Sequence, residues 1–174
     1  MTTSLNEFIG QEMLWQPTAA MKARYELVAG NQMVASFDMS NWGSSSIAQT
    51  PDGIFSIKRD GVFKPRVNVR AGSEAGTMLA SFKQNWSSGG DLQFTDGRTF
   101  TLRKTNFWGS KKAWLDATGQ IIMTFQAKSF SRTVGVSVAP EAAVFPDLPL
   151  LAALGLYIII LIKREAAAAT AAST

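Results

Sequence analysis

Cysteine and histidine are both missing from the 174 residues. Without them there is no disulfide, no Cys/His zinc site, no histidine general base and no cysteine nucleophile, so most catalytic dyads and triads are excluded. The absence of cysteine also leaves the redox compartment open. Acidic residues are few, 13 against 17 Lys and Arg, for a net charge of +4. That mild excess permits an anionic partner such as phospholipid headgroups without demanding one. The first 17 residues have no positive n-region, and Glu7 and Glu12 interrupt their apolar positions, so they do not read as a signal peptide. A cytoplasmic body, at most a peripheral visitor to a membrane, is the expectation.

Long apolar runs are also scarce. There is one, Leu148 to Ile162, 15 uncharged residues followed at once by Lys163, Arg164 and Glu165. As a helix it would be about 22 Å long, short of the roughly 20 residues that a bilayer core wants. A helix apolar on every side is either a membrane span or the centre of a core. Extending the run back to Ala142 gives a nominal tail anchor, but this includes Asp147, Pro146 and Pro149, and an intramembrane aspartate is costly.

Internal similarity organises the rest. Gly30 to Phe37, Gly76 to Phe82 and Gly119 to Phe125 resemble one another, with 45 residues from Phe37 to Phe82 and 43 from Phe82 to Phe125. A second block, Thr50 to Arg59, recurs at Thr95 to Lys104. Asp52-Gly53 and Asp96-Gly97 are turn dipeptides. The alternation of Phe55 with Ile57, and of Phe100 with Leu102, marks strands. A period near 44 residues fits about four strands, with Thr133 to Val138 adding one more. Two full units and a partial one cannot close a propeller, whereas one closed barrel removes the sheet edges. By strand parity, Met33, Ala35 and Phe37 point inward, as do Met78, Ala80 and Phe82, and Ile121, Met123 and Phe125. A barrel of about twelve strands is too wide for side chains alone to fill, and the apolar run is the one segment that could occupy it. The fold expected is therefore mainly β: an antiparallel barrel enclosing a hydrophobic C-terminal helix.

The repeated D-G-x-x-F-x-[IL]-[KR] type of strand at Asp52 to Arg59 and Asp96 to Lys104 carries a family resemblance. So do the G-x-x-[MIL]-x-[ST]-F strands and the ending, a Val-rich strand, Phe145-Pro146-Asp147-Leu148, then an apolar helix. In these features residues 13–164 resemble the tubby-like superfamily, which includes phospholipid scramblases, plant LURP-one-related proteins and small bacterial relatives. The resemblance implies a twelve-stranded barrel around a central helix over residues 148–164, with Leu148, Leu151, Leu154, Tyr157, Ile158 and Leu161 among its buried positions. It implies a domain spanning 13–165, an N-terminal extension over 1–12 and a frayed tail over 166–174. Asp147 would be the N-cap, Pro149 would sit in the first turn, and Lys163-Arg164 would favour the helix C-terminus. Gly155 costs about 1 kcal/mol relative to alanine in an isolated helix; either it permits a close approach to a bulky barrel residue or it has no compensation.

The chemistry expected is binding rather than catalysis. The carboxylates are scattered, and Asp52, Asp96 and Asp116 fall at turns, where they bond their own backbone. A carboxylate-dependent enzyme is the catalytic alternative, but no pair marks it. No cofactor or metal site is expected: the stretch before the helix holds only Glu141 and Asp147, too few for the calcium site of scramblase-type relatives. Lys58, Arg59, Lys64, Arg66, Arg103, Lys104, Lys111 and Lys112 occupy related positions and are candidates for a headgroup patch of the kind tubby-type relatives imply. Parity puts Arg59 and Lys104 at a barrel rim and Lys58 and Arg103 outside. A protein partner is the other option. Nucleic acid is not expected, because Trp42, Trp86 and Trp108 show no shared face for base stacking; rim or core packing is expected of them instead.

Overall fold

A computed structural model describes residues 4–128 and 130–174. Twelve strands run up and down in sequence: β1 (Glu12–Pro17), β2 (Ala23–Ala29), β3 (Gln32–Met39), β4 (Ser45–Thr50), β5 (Gly53–Asp60), β6 (Arg66–Ala71), β7 (Met78–Gln84), β8 (Gly90–Phe94), β9 (Thr99–Lys104), β10 (Lys111–Leu115), β11 (Ile121–Ala127) and β12 (Val134–Val138). Every neighbouring pair is antiparallel, and β1 pairs with β12 to close the barrel. Closure leaves no unpaired edge.

Helix α1 (Leu148–Ala172) runs through the barrel. Residues 148–161 are all buried, including the six expected positions Leu148, Leu151, Leu154, Tyr157, Ile158 and Leu161. Among the described residues no helix is long and apolar enough to cross a membrane. The apolar segment on which the tail-anchor alternative rests is enclosed by the barrel. The outer wall is polar, with Glu26, Ser36, Gln49, Lys58, Asn68, Ser81, Gln93, Arg103 and Gln126 at outward positions. A barrel that crosses a bilayer has the opposite pattern.

Several boundaries differ from expectation. The helix continues to Ala172, so residues 166–172 are a solvent-exposed helical extension rather than a frayed tail. Alanine is the best helix former, and Ala166 to Ala169 propagate a helix already nucleated in the core. Lys163 and Arg164 therefore lie within the helix and do not terminate it. The N-terminal extension is also partly structural. Residues 1–3 lie outside the described residues, but Leu5–Phe8 forms a 3-10 turn whose Leu5 and Phe8 are buried in the core.

Parity fails at one recurring place. Met33 and Ile121 are exposed and Met78 is only half-buried, while their neighbours Val34 and Ile122 are buried. The register slips between Leu27 and Val28 against β3, between Val69 and Arg70 against β7, and between Trp114 and Leu115 against β11. A β-bulge adds one residue and reverses the alternation beyond it. Ala35, Phe37, Ala80, Phe82, Met123 and Phe125, on the far side of each bulge, do point inward.

Two contacts seat the helix. A Cβ at Gly155 would lie 2.2 Å from Phe125 Cζ, so the glycine permits ring-to-backbone approach, and this compensates its poor propensity. The buried Trp114 indole N–H donates to the Leu151 carbonyl at 3.0 Å, one turn before Gly155. The second buried indole, at Trp15, has no partner among the described residues.

Candidate functional site: the two ends of the barrel

Helix α1 enters at one end, here the turn end, and leaves at the other, the loop end. Short turns such as 30–31 and 51–52 close the turn end. All six connections at the loop end, 18–22, 40–44, 61–65, 85–89, 105–110 and 128–133, are five or six residues long.

At the turn end Arg98 gathers two carboxylates. Its Nε donates to Asp96 at 2.8 Å, and its Nη1 and Nη2 bind the Asp147 carboxylate, Nη2 at 3.3 Å. Asp147 holds the N-cap position, with Pro149 in the first turn, but its side chain does not cap. The carboxylate prefers a charge-assisted pair to a neutral backbone N–H. With Asp52 these groups line a cavity of about 270 Å³. Hydrogen bonds from the Arg98 backbone and guanidinium hold Asp96 below the usual carboxylate range, the reverse of the protonated carboxyl that glycosidase-type chemistry needs. Among the described residues no group of three potential metal ligands occurs.

The candidate cations do not form one patch. Lys58 faces outward and binds Glu74 at 2.9 Å, a hydrogen bond and ion pair that push its ammonium up. Arg59 sits at the loop-end rim, where its guanidinium pairs with Glu165 and its backbone N–H donates to Tyr157 Oη at 3.1 Å. These two are four strands from Arg103 and Lys104. Lys112 must be withdrawn from the list: it is buried, its Nζ donating to the Ser88 carbonyl at 3.3 Å. It lies two residues before the inward-facing Trp114 and shares its face. Burial, then Lys104, push its ammonium down.

Lys64, Arg66, Arg103, Lys104 and Lys111 remain, all exposed and without an ion pair among the described residues. Arg66 lies between Lys83 and the oppositely charged Asp60 on its two neighbouring strands. Lys104 lies directly opposite Lys112, and like charges facing across strands are destabilising, so that pair is built at some cost unless an anion comes to it.

The aromatic side chains were not legible as a group. Trp42, Trp86 and Trp108 pack against neither core nor rim: they are 101%, 106% and 85% exposed. Met21, Val62, Phe63, Phe107 and Phe130 are equally bare, so each of the six loop-end connections carries at least one fully exposed large apolar residue. Spacing held the signal. Trp42 to Trp86, Trp86 to Phe130 and Phe63 to Phe107 are each 44 residues apart, within one residue of the intervals that relate the strands. No protein-family model matches this chain, and neither a curated protein nor a solved structure matches it.

Proposed function

We propose that this is a non-catalytic, tubby-like barrel of three related four-strand units, cytoplasmic and peripheral to membranes, whose loop end binds anionic phospholipid surfaces. The carrying observation is the coincidence, on one end only, of six bare apolar loop tips with a rim of unpaired cations. Aromatic side chains partition to the headgroup level of a bilayer. Basic residues near an anionic leaflet contribute about 1 kcal/mol each.

Vesicle flotation tests this. The full chain should float with phosphatidylcholine vesicles containing phosphatidylserine, and less as salt rises. The Trp42→Ser/Trp86→Ser/Trp108→Ser variant should lose at least about tenfold in affinity, given roughly 1.5–3 kcal/mol for a buried aromatic. Tryptophan fluorescence should blue-shift on binding in the parent and not in the variant. Flotation that ignores these substitutions, or its absence at any lipid charge, overturns the reading and leaves the bare tips to a protein partner.

A further inference from the structure

A crevice of about 340 Å³ opens at the loop end between α1 and the 18–22 loop. Four cationic residues from three separate segments line it: Lys22, Arg132, Lys163 and Arg164. Among the described residues no carboxylate lines it. Both guanidiniums are held in place by neutral groups. Arg132 Nη1 donates to the carbonyls of Ala19 and Ala20 at 2.8 and 3.0 Å, its Nη2 donates to the Lys22 backbone carbonyl at 2.7 Å, and its Cζ lies 5.4 Å from the Tyr25 ring centroid. Arg164 uses only Nη1, donating to Ser40 and Gly43 carbonyls at 3.0 and 3.2 Å. Carbonyls fix the arginines without cancelling their charge, and Nε and Nη2 of Arg164 remain as donors. Lys22 and Lys163 have no ion pair among the described residues. Arg59, at the same rim, shows the contrast: Glu165 neutralises it.

We infer that this crevice is a phosphate-group site, with Lys22, Lys163 and the free edge of Arg164 as ligands and Arg132 as a fixed positive wall. Guanidinium and ammonium groups converging without a carboxylate are the donor set that a phosphomonoester takes, charge-assisted at every contact. Met21, Ala23, Ile160 and Ala167 supply apolar lining beside the charges, suited to the carbon skeleton that carries the phosphate. Burial and Arg132 hold the Lys163 ammonium below its ordinary value, a penalty that a bound dianion reverses. The site deepens the membrane reading, because it lies beside the Met21 tip and a lipid headgroup is one source of the phosphate; free phosphate esters are the other.

The test uses the full chain and its Lys22→Gln/Lys163→Gln variant, whose substituted groups hold nothing else in the protein. Two probes are compared: soluble glycerol phosphate by calorimetry, and phosphatidylcholine vesicles containing phosphatidic acid or phosphatidylserine by flotation. Each lost charge-assisted bond is worth about tenfold. The variant should bind phosphatidic acid vesicles at least about tenfold more weakly while phosphatidylserine binding changes less than about twofold. Glycerol phosphate binding that is lost in the variant, with no vesicle binding by the parent, keeps the site and sinks the membrane reading. Vesicle binding indifferent to the two lysines, with glycerol phosphate unbound, keeps the membrane reading and overturns the site.

Discussion

The two ends of this barrel are made of the same hairpins but treat charge and apolar surface in opposite ways. At the turn end, Arg98 is shared between Asp96 and Asp147, and the β10–β11 turn closes on Asp116, which accepts from the backbone of Thr118 and Gln120. At the loop end, Lys104 faces Lys112 and tryptophans stand in water. Folding alone accounts for the first arrangement: Arg98 joins two carboxylates and helix α1 is anchored where it enters. The second has large apolar side chains exposed on all six loops, and the proposed membrane contact rests on that feature.

A large effect is expected between the ends, where the helix is held in register. Gly155→Ala should destabilise the protein by about 2–3 kcal/mol, because the new methyl overlaps the buried Phe125 ring and overpacking outweighs the gain in helix propensity. Phe125→Leu in the same chain should recover part of that loss. Additive losses in the double variant, measured by urea unfolding, would show that ring and glycine are not coupled.

Next comes the polar link that Tyr157 makes from the helix to the loop end. Tyr157 Oη donates to the Ser44 carbonyl at 2.5 Å and accepts from the Arg59 N–H. Burial pushes its phenol up to about 12, against about 10 in an unfolded chain. The stabilisation is complete below pH 10. Above it the unfolded state sheds the proton first, so stability falls as pH rises toward 12, by about 2–3 kcal/mol in all. Tyr157→Phe should lack this slope relative to the parent at each pH. At neutral pH it should cost about 1–3 kcal/mol for the two backbone groups left unpaired. Parallel pH profiles for the two proteins would refute the assignment.

Arg98→Gln probes the turn end. Asp147 is largely shielded while Arg98 is half-exposed, so the loss should fall between those of buried and surface pairs, about 1–2 kcal/mol. Asp147→Asn in the same background should add little, since its partner is already gone. A large second loss would mean that Asp147 serves the helix in some other way.

Architecture was legible because it rests on patterns longer than any local irregularity. Phe37, Phe82 and Phe125 fixed the strand spacing, and the uniform apolarity of Leu148 to Leu161 could be satisfied only by burial on all sides. Single-residue slips were not legible. One extra residue per bulge exposed Met33 and Ile121, and no bulge has a composition that announces it. Individual charges failed for a different reason. Glu74 and Glu165 are distant in sequence from Lys58 and Arg59, so only the folded chain shows which candidates are already neutralised. Lys112 is inside because it shares a strand face with the buried Trp114. The Arg132–Arg164 crevice joins residues 32 apart with a loop 110 residues earlier, which no local motif could express.

The smallest effect on stability, and the sharpest on the comparison, is expected at the loop tips. Trp42→Ser/Trp86→Ser/Trp108→Ser should leave the unfolding free energy within about 0.5 kcal/mol per site, since these rings bury almost nothing and surface changes of this kind are near neutral. The same count of substitutions at Trp15, Trp114 and Phe82, all fully buried, should abolish folding, at about 3–5 kcal/mol each. If instead the tip variant unfolds early, the bare tryptophans serve the barrel itself and the contrast between its ends loses its functional meaning. If stability holds while vesicle affinity collapses, then the exposed rings are costs carried for a surface outside the molecule.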